Sequence, residues 1–276
     1  MCGTVSFLLS VSLTLLFLCL TVRITALNPS YAVTVAESSD YAELMQKELK
    51  EEFISYGSAC NVDESFFDGL FNDVITPEQI ENDTKESLYD FFNNEVKDSI
   101  DTSKIEEKML RALETYAQDK GFALNESVIN NLKEMSEEMG DLYNAYVGLF
   151  TSSYFSMAAN LISKYMPVLN YAIVGLAVFS VLAFVIIRLS YKKAKNYTRY
   201  YIYSTAGSAL MLFVAPAAAL IMKIGSRINL ANASLHGFAS GYINYIFAAF
   251  IAAAVIMAVI CASFAFIRSK AVKENR

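Results

Sequence analysis

The hydrophobic pattern of the chain is dominated by four runs without a charged residue. They are Val5–Val22, Val168–Ile187, Tyr200–Met222 and Tyr242–Ile267, with 18, 20, 23 and 26 residues. Each run is long enough to cross a hydrocarbon core of about 30 Å at about 1.5 Å per helical residue. Because lipid offers no partner to unpaired backbone groups, and no run alternates like a barrel strand, the pattern predicts four transmembrane helices.

These runs divide the chain into four parts. Residues 1–27 hold the first span, residues 28–166 form a polar domain, residues 167–267 form a three-helix bundle with spans at about 168–189, 200–222 and 242–267, and residues 268–276 form a basic tail. The first run also has the length of a signal peptide, and Ser30-Tyr31-Ala32 resembles a cleavage site. Arg23 can snorkel from a retained helix, so retention is favoured while cleavage stays open.

The polar domain reads as helical throughout. Asp40 followed by Glu43 is typical of a capping box, and the apolar stripe after it stops at Gly57. Thr76 before Pro77 predicts a second helix start.

Two more helices complete the domain before its last helix. One is predicted from residues 101–103 to Gly121, and a short one near residues 63–71. Since no stretch alternates in the manner of a strand, we expect an all-α integral membrane protein with a helical domain between spans one and two.

The last helix of the polar domain carries a heptad stripe. Its positions are Val128, Leu132, Met135, Met139, Leu142, Tyr146 and Leu149. The helical pattern continues towards the second span and is interrupted only at Pro167. The stripe either packs against its own domain or forms a self-pairing or signalling stalk.

The charges are strongly partitioned along the chain. Residues 24–165 hold 27 acidic and 10 basic side chains, a net charge of −17, whereas the remainder holds 12 bases and one acid. Basic residues beside membrane spans mark the cytoplasmic side. Those that set the topology are Arg188, Lys192, Lys193, Lys195, Arg199, Arg268, Lys270 and Lys273. The prediction is a plasma-membrane protein with a cytoplasmic C-terminus and residues 28–166 outside the cell.

Composition disfavours most chemistry. The chain has a single histidine, His236, and no phosphate-binding loop motif, so we expect no catalytic residue, no cofactor and no metal site. The acidic domain would repel nucleic acid. Cys60 is the only cysteine of that domain, which excludes an internal disulfide and leaves an intermolecular one open.

The spans themselves contain small residues at helical spacing. No Asp, Glu, Lys, Arg or His lies within Val168–Ile187, Tyr200–Met222 or Tyr242–Phe266, which disfavours active transport. Small residues allow close helix packing, either within the bundle or with a partner helix. The alanines at issue are Ala215, Ala219, Ala248, Ala252, Ala254, Ala258 and Ala262.

Several short segments are similar to those of a group of uncharacterised membrane proteins from Gram-positive bacteria. They are Val22-Arg23, Leu27-Asn28-Pro29-Ser30-Tyr31, Glu48–Gly57, Ile75-Thr76-Pro77-Glu78 and Asp101-Thr102-Ser103-Lys104-Ile105. The resemblance covers mainly the first 120 residues. It implies a bacterial plasma membrane, a retained first helix, an acidic helical outer domain and three further spans, and no known activity.

The function expected from these observations is not catalytic. The outer domain would sense or dock a protein partner, while the lipid bilayer or a partner helix surrounds the bundle. The alternative is a permease-like accessory subunit of a transport or cell-envelope complex. The short link of about 12 residues between spans two and three disfavours that alternative, because it leaves little surface to couple a cytoplasmic ATPase.

Overall fold

The computed structural model of the chain describes residues 2–191 and 193–273. Throughout these residues the chain is helical and has no strand, as predicted. In chain order the helices are α1 (Cys2–Ile24), α2 (Pro29–Ser38), α3 (Tyr41–Ala59), α4 (Glu64–Asp73), α5 (Pro77–Asn93), α6 (Ser103–Asp119), α7 (Glu126–Val147), α8 (Ser153–Ser190), α9 (Ala194–Ile221) and α10 (Ala233–Lys273). Short 3₁₀ turns occupy Gly148–Thr151 and Gly225–Arg227.

Four of these helices are long and apolar enough to cross a membrane, which confirms that prediction. They are α1, α8, α9 and α10. With 38 and 41 residues, α8 and α10 are much longer than the roughly 20 residues that a span needs.

The chain divides into two compact units. The membrane unit takes in the chain up to Tyr31, then Lys164–Ile228, and then the chain from Ala239 onward. The acidic unit takes in Ala32–Ser163 and Asn229–Phe238. A segment that the sequence presents as a loop between two spans is therefore part of the acidic unit.

Two helix ends in the acidic unit follow the local signals in the sequence. The Thr76 side chain accepts a hydrogen bond from the Gln79 backbone N–H at 3.2 Å, and Pro77 is the first residue of α5. Just beyond α6, Gly121 has a φ of 82°, a conformation that glycine adopts without strain.

The capping box predicted at Asp40 is not formed. Asp40 has a left-handed backbone (φ 51°, ψ 37°), and its side chain accepts no hydrogen bond from the first turn of α3. The cause is the short junction from Ser38 to Tyr41, which reverses the chain at Asp40, and Asp tolerates this conformation better than most residues.

The sequence predicted that α3 ends at Gly57, and this prediction is wrong. The helix continues to Ala59, and Gly57 is buried inside it. A Cβ atom at Gly57 would overlap the ring of Phe67, which has no exposed surface. Gly57 is therefore a packing residue that lets α4 approach α3.

The core of the acidic unit is apolar and rich in aromatic rings. Phe53 packs edge-to-face on Phe71 and on Phe67, with ring centroids 5.3 and 6.4 Å apart. Core positions come from α3 to α7, and those with less than 2% exposure include Met45, Leu49, Ile75, Ile80, Met109, Leu113 and Tyr143. Burial of these side chains stabilises the unit against its own net charge.

Residues 229–238 are fastened to this core by a helix cap supplied from a distant part of the chain. The Glu48 carboxylate accepts the Ser234 backbone N–H at 3.0 Å and the Ser234 hydroxyl at 2.6 Å, and Ser234 is fully buried. A carboxylate is favourable at this place because the first turn of α10 presents unpaired N–H groups. Phe238 packs between Tyr41 and Phe150, with ring centroids 5.7 and 5.8 Å away.

The heptad stripe from Val128 to Leu149 lies on α7 and the turn after it, and we call it the α7 seam. Its helix is interrupted earlier than predicted. It ends at Val147, is followed by the 3₁₀ turn, and the chain is extended at Ser152 (φ −64°, ψ 156°) before α8 begins. The turn places Phe150 in the core, 4% exposed, against Phe155. Pro167, the predicted point of interruption, lies inside α8.

In the membrane unit the tightest packing joins α1 to α9 through small polar side chains. The Ser6 and Ser204 hydroxyls lie 2.9 Å apart. The Ser6 hydroxyl lies 3.0 Å from the Tyr200 carbonyl of α9, and the Ser204 hydroxyl lies 2.8 Å from the Ser6 carbonyl of α1. A Cβ at Gly207 would approach the Ser10 hydroxyl to 2.6 Å. Hydroxyls inside spans find partners across helices because lipid provides none.

The predicted alanine stripes take little part in this packing. Ala219 and Ala254 are buried, whereas Ala215, Ala248, Ala252, Ala258 and Ala262 are exposed. The serines and the glycine of α1 and α9 allow the closest approach between two spans. Packing of the exposed alanines against a partner helix stays a prediction.

We expect Gly57→Ala to destabilise the acidic unit. The new methyl group collides with a ring held between other rings, and overpacking of this kind costs about 1–3 kcal/mol, more than the helix propensity it gains. The matched control is Gly69→Ala in α4, where a Cβ meets no atom within 4 Å. In thermal unfolding of the full chain the first variant should lower the apparent Tm and the second should leave it unchanged or raise it. Equal effects would contradict this role of Gly57.

Candidate partner-binding site

An open apolar groove of about 870 Å³ lies on the acidic unit where the ends of α3 and α6 meet the first half of α7. We call it the α7 groove. It is lined by Tyr56, Cys60, Asn61, Val62, Leu113, Tyr116, Ala117, Phe122, Val128, Asn131, Leu132, Glu134, Met135 and Glu138.

The floor of the α7 groove is continuous with the core. Leu113 and Met135 are buried there, while Val128 and Leu132 are only half-buried and face the opening. Phe122 is 63% exposed although it is a large apolar side chain. The groove therefore leaves hydrophobic surface in contact with water, which is typical of an interaction site.

Polar contacts fix one end of the groove. The Asp63 backbone N–H donates to the Tyr116 hydroxyl at 3.0 Å, and Lys120 forms an ion pair with the Asp63 carboxylate. The Lys120 ammonium, with Tyr116 beside it, holds the pKa of the Asp63 carboxyl below its usual range. These contacts hold the start of α4 against the end of α6 and keep the Tyr116 ring on the groove wall.

The rim of the α7 groove is acidic. Glu134 and Glu138 line it, both exposed and one helical turn apart, and no Lys or Arg is among its lining residues. The nearest bases along the chain are already paired: Lys133 lies 3.6 Å from Glu137, and Lys120 pairs with Asp63. A charge of one sign thus borders an apolar floor.

A second, polar groove of about 810 Å³ lies along α5 and the start of α6. Asp83 accepts hydrogen bonds there from the Tyr143 hydroxyl at 2.5 Å and from the Gln79 amide at 2.9 Å. Lys97 pairs with Glu86 at 2.6 Å and with Asp90 at 3.1 Å. Because its charges largely satisfy one another, this groove offers less unmatched surface than the α7 groove.

The α7 seam is divided between the core and the groove. Met135 and Met139 are buried, and Leu132, Leu142 and Tyr146 pack partly against the core. Val128, Leu132 and Met135 line the α7 groove. The first half of the seam therefore keeps an open face, which the heptad pattern alone did not reveal.

Two of the basic residues predicted to set the topology lie beside tyrosines. The Arg188 guanidinium is 4.4 Å from the centre of the Tyr197 ring, and Arg199 donates to the Tyr203 hydroxyl at 2.7 Å. Lys192 lies outside the described residues. Lys193 and Lys195 lie in the same turn and helix start, and Arg268, Lys270 and Lys273 lie near the end of α10.

Within the described residues no group of three or more His, Cys, Asp or Glu side chains is arranged to hold a metal ion. His236 lies in the first turn of α10, in the acidic unit. Cys60 is exposed and free, on the edge of the α7 groove.

No family model, no curated protein and no solved structure matches this chain. The resemblance to membrane proteins of Gram-positive bacteria therefore stays an expectation. The function must be argued from the residues and their geometry.

Two buried tyrosines of the acidic unit provide a matched test of its polar contacts. Tyr143 donates to Asp83, and burial together with this carboxylate raises the pKa of Tyr143, so it remains a donor. The Tyr41 hydroxyl is buried and has no hydrogen-bond partner among the described residues. Tyr143→Phe should lower the apparent Tm, since it removes a hydrogen bond to a charged acceptor, which contributes about 1.5–3 kcal/mol. Tyr41→Phe should leave the apparent Tm unchanged or raise it. Opposite signs would show that these hydrogen bonds are assigned wrongly.

Proposed function

We propose that this protein is a non-catalytic multi-pass protein of the plasma membrane whose acidic unit lies outside the cell and docks a protein partner. The charge partition is the observation that carries the proposal. The 27 acids of residues 24–165 are collected in one part of the chain with only 10 bases, and the other 12 bases lie near the ends of the apolar helices. That separation is typical of a chain with one polar domain exported and its basic loops retained inside.

The orientation follows from the bases beside the spans. The turn from α8 to α9 and the end of α10 carry Lys and Arg without neighbouring acids up to Lys273. The link from α9 to α10 carries only Lys223 and Arg227. Because three spans follow the acidic unit, that unit and the C-terminus lie on opposite sides of the membrane. A cytoplasmic C-terminal tail therefore puts the acidic unit outside the cell.

The contacts of α1 support its retention in the mature protein. Leu9 and Leu13 are buried in the core of the membrane unit, and Ser12 lies 2.9 Å from the Ser180 hydroxyl. Removal of α1 would expose this core and leave the Ser180 and Ser204 hydroxyls without their partners on α1. A signal peptide that is cut away makes no such contacts.

The docking role is supported by the α7 groove. An exposed apolar groove on a unit with a net charge of −18 is a surface that gains from being covered. The strongly negative charge in turn disfavours nucleic acid as the occupant.

Thiol labelling on whole cells tests the orientation. Cys60 is exposed, so a membrane-impermeant maleimide should label it in intact cells. In a Cys60→Ser background, Ser58→Cys should label from outside, while Ser190→Cys should label only after permeabilisation. Ser234 is unsuitable as a reporter because it is buried beneath the Glu48 cap. Labelling of Ser190→Cys in intact cells would overturn the proposed orientation.

Photo-crosslinking on whole cells tests the docking role. A photoreactive amino acid at Phe122 should give a discrete adduct with one partner, because this exposed position stands at the α7 groove. The control position is Glu107, which is exposed on α6 and does not line the groove. The same adduct from both positions, or none from either, would count against docking at the groove.

A further inference from the structure

The open half of the α7 seam has the form of half a helix pair. Val128, Leu132 and Met135 follow one another at spacings of four and three on one face of α7. In the second half of the helix, Met139 has no exposed surface, and Leu142 and Tyr146 are half-buried and packed against the core. A heptad face is built to receive the side chains of another helix, and in the first half of α7 that helix is supplied only partly by the unit itself.

The walls of the α7 groove leave room for an added helix and favour apolar contact with it. Tyr56 and Tyr116 border one side, and Phe122 stands at the other edge with most of its ring in solvent. Aromatic side chains in such positions contribute large contact area at low entropic cost. An amphipathic helix that lays its apolar face on the floor would cover Val128, Leu132 and the Phe122 ring together.

The negative charges on the rim of the groove determine which charge the added helix must carry. Glu138 flanks the seam at the g position, one of the two heptad positions that choose partners in paired helices, and Glu134 lies one turn before it on the groove rim. A second copy of this chain would bring the same two carboxylates to the interface, and like charges facing one another are unfavourable. A helix with Lys or Arg beside its apolar stripe would instead pair with both carboxylates.

We propose that the α7 groove binds the apolar face of a cationic amphipathic helix that belongs to a partner protein. The inference rests on the proposed docking function and names the chemistry of the partner. The occupant is a helix rather than an extended peptide because the described acidic unit has no strand to extend. It is cationic because the residues that line the groove include no Lys or Arg that could pair with the carboxylates of an acidic helix.

Binding of defined peptides to the full chain tests the inference. The protein is placed in nanodiscs of zwitterionic lipid, with empty nanodiscs as the blank. The probes are two fluorescent helical peptides of equal length, with leucine on the heptad stripe and either lysine or glutamate elsewhere. Anisotropy should rise with the lysine peptide and not with the glutamate peptide. Binding should weaken strongly in about 1 M salt, where charges are screened beyond about 3 Å.

Two readouts locate the binding at the α7 groove. The bound lysine peptide should slow maleimide labelling of Cys60, which lies on the groove edge. The double variant Glu134→Lys with Glu138→Lys should weaken the lysine peptide by at least about tenfold, the effect of losing one close charge pair, and should favour the glutamate peptide. The control is Glu37→Lys with Glu81→Lys, which changes the net charge equally at exposed sites outside the groove and should leave affinity nearly unchanged.

The inference is overturned if neither peptide binds, if the glutamate peptide binds equally well, or if both double variants weaken binding alike. Loss of binding in the Glu134→Lys, Glu138→Lys protein counts only when its apparent Tm matches that of the parent. Failure here is distinguishable from failure of the docking function. An adduct from Phe122 on whole cells without lysine-peptide binding would keep a docked partner and reject its cationic, amphipathic character.

Discussion

Inside a hydrocarbon layer the backbone has no water to bond with, and this constraint determines the form of every apolar run in the chain. Each run pairs its N–H and C=O groups within its own helix. The side-chain hydroxyls of α1 and α9 are then the remaining polar groups that need partners. The contact of Ser6 with Ser204 answers that need, and Gly207 allows the two helices to come close enough. The packing of the membrane unit thus follows from polar satisfaction as much as from apolar contact.

The acidic unit is stabilised in a different way, because its helices face water and its negative charges repel one another. Its stability depends on a core of rings and aliphatic side chains from five helices and on a few charged contacts placed where a backbone end needs them. Glu48 is the clearest case, since its carboxylate closes the first turn of α10. Most remaining acids stay solvated on the helix surfaces.

The α7 seam shows how a regular pattern can have two uses on one helix. Its second half closes the core, and its first half is left as the floor of an open groove. The division follows from the positions of α3 and α6, whose ends border the groove and leave Val128 and Leu132 half-covered. The 3₁₀ turn at Gly148–Thr151 then separates this helix from α8, so the seam belongs to the acidic unit alone.

Features that depend on neighbours within a few residues could be predicted from the sequence: four apolar helices, an all-helical fold, the cap at Thr76 and the separation of charge. These follow from run length, periodicity and local hydrogen bonding. Three features became visible only in the folded chain: which small residues pack, where α7 ends, and that residues 229–238 join the acidic unit. The physical reason is that these outcomes depend on partners far apart in the chain, such as Glu48 with Ser234, which are 186 residues apart, and Ser6 with Ser204. The helical spacing of the two acids on the rim of the α7 groove could be recognised in the sequence. That the groove is open became apparent only once three helices were placed around it.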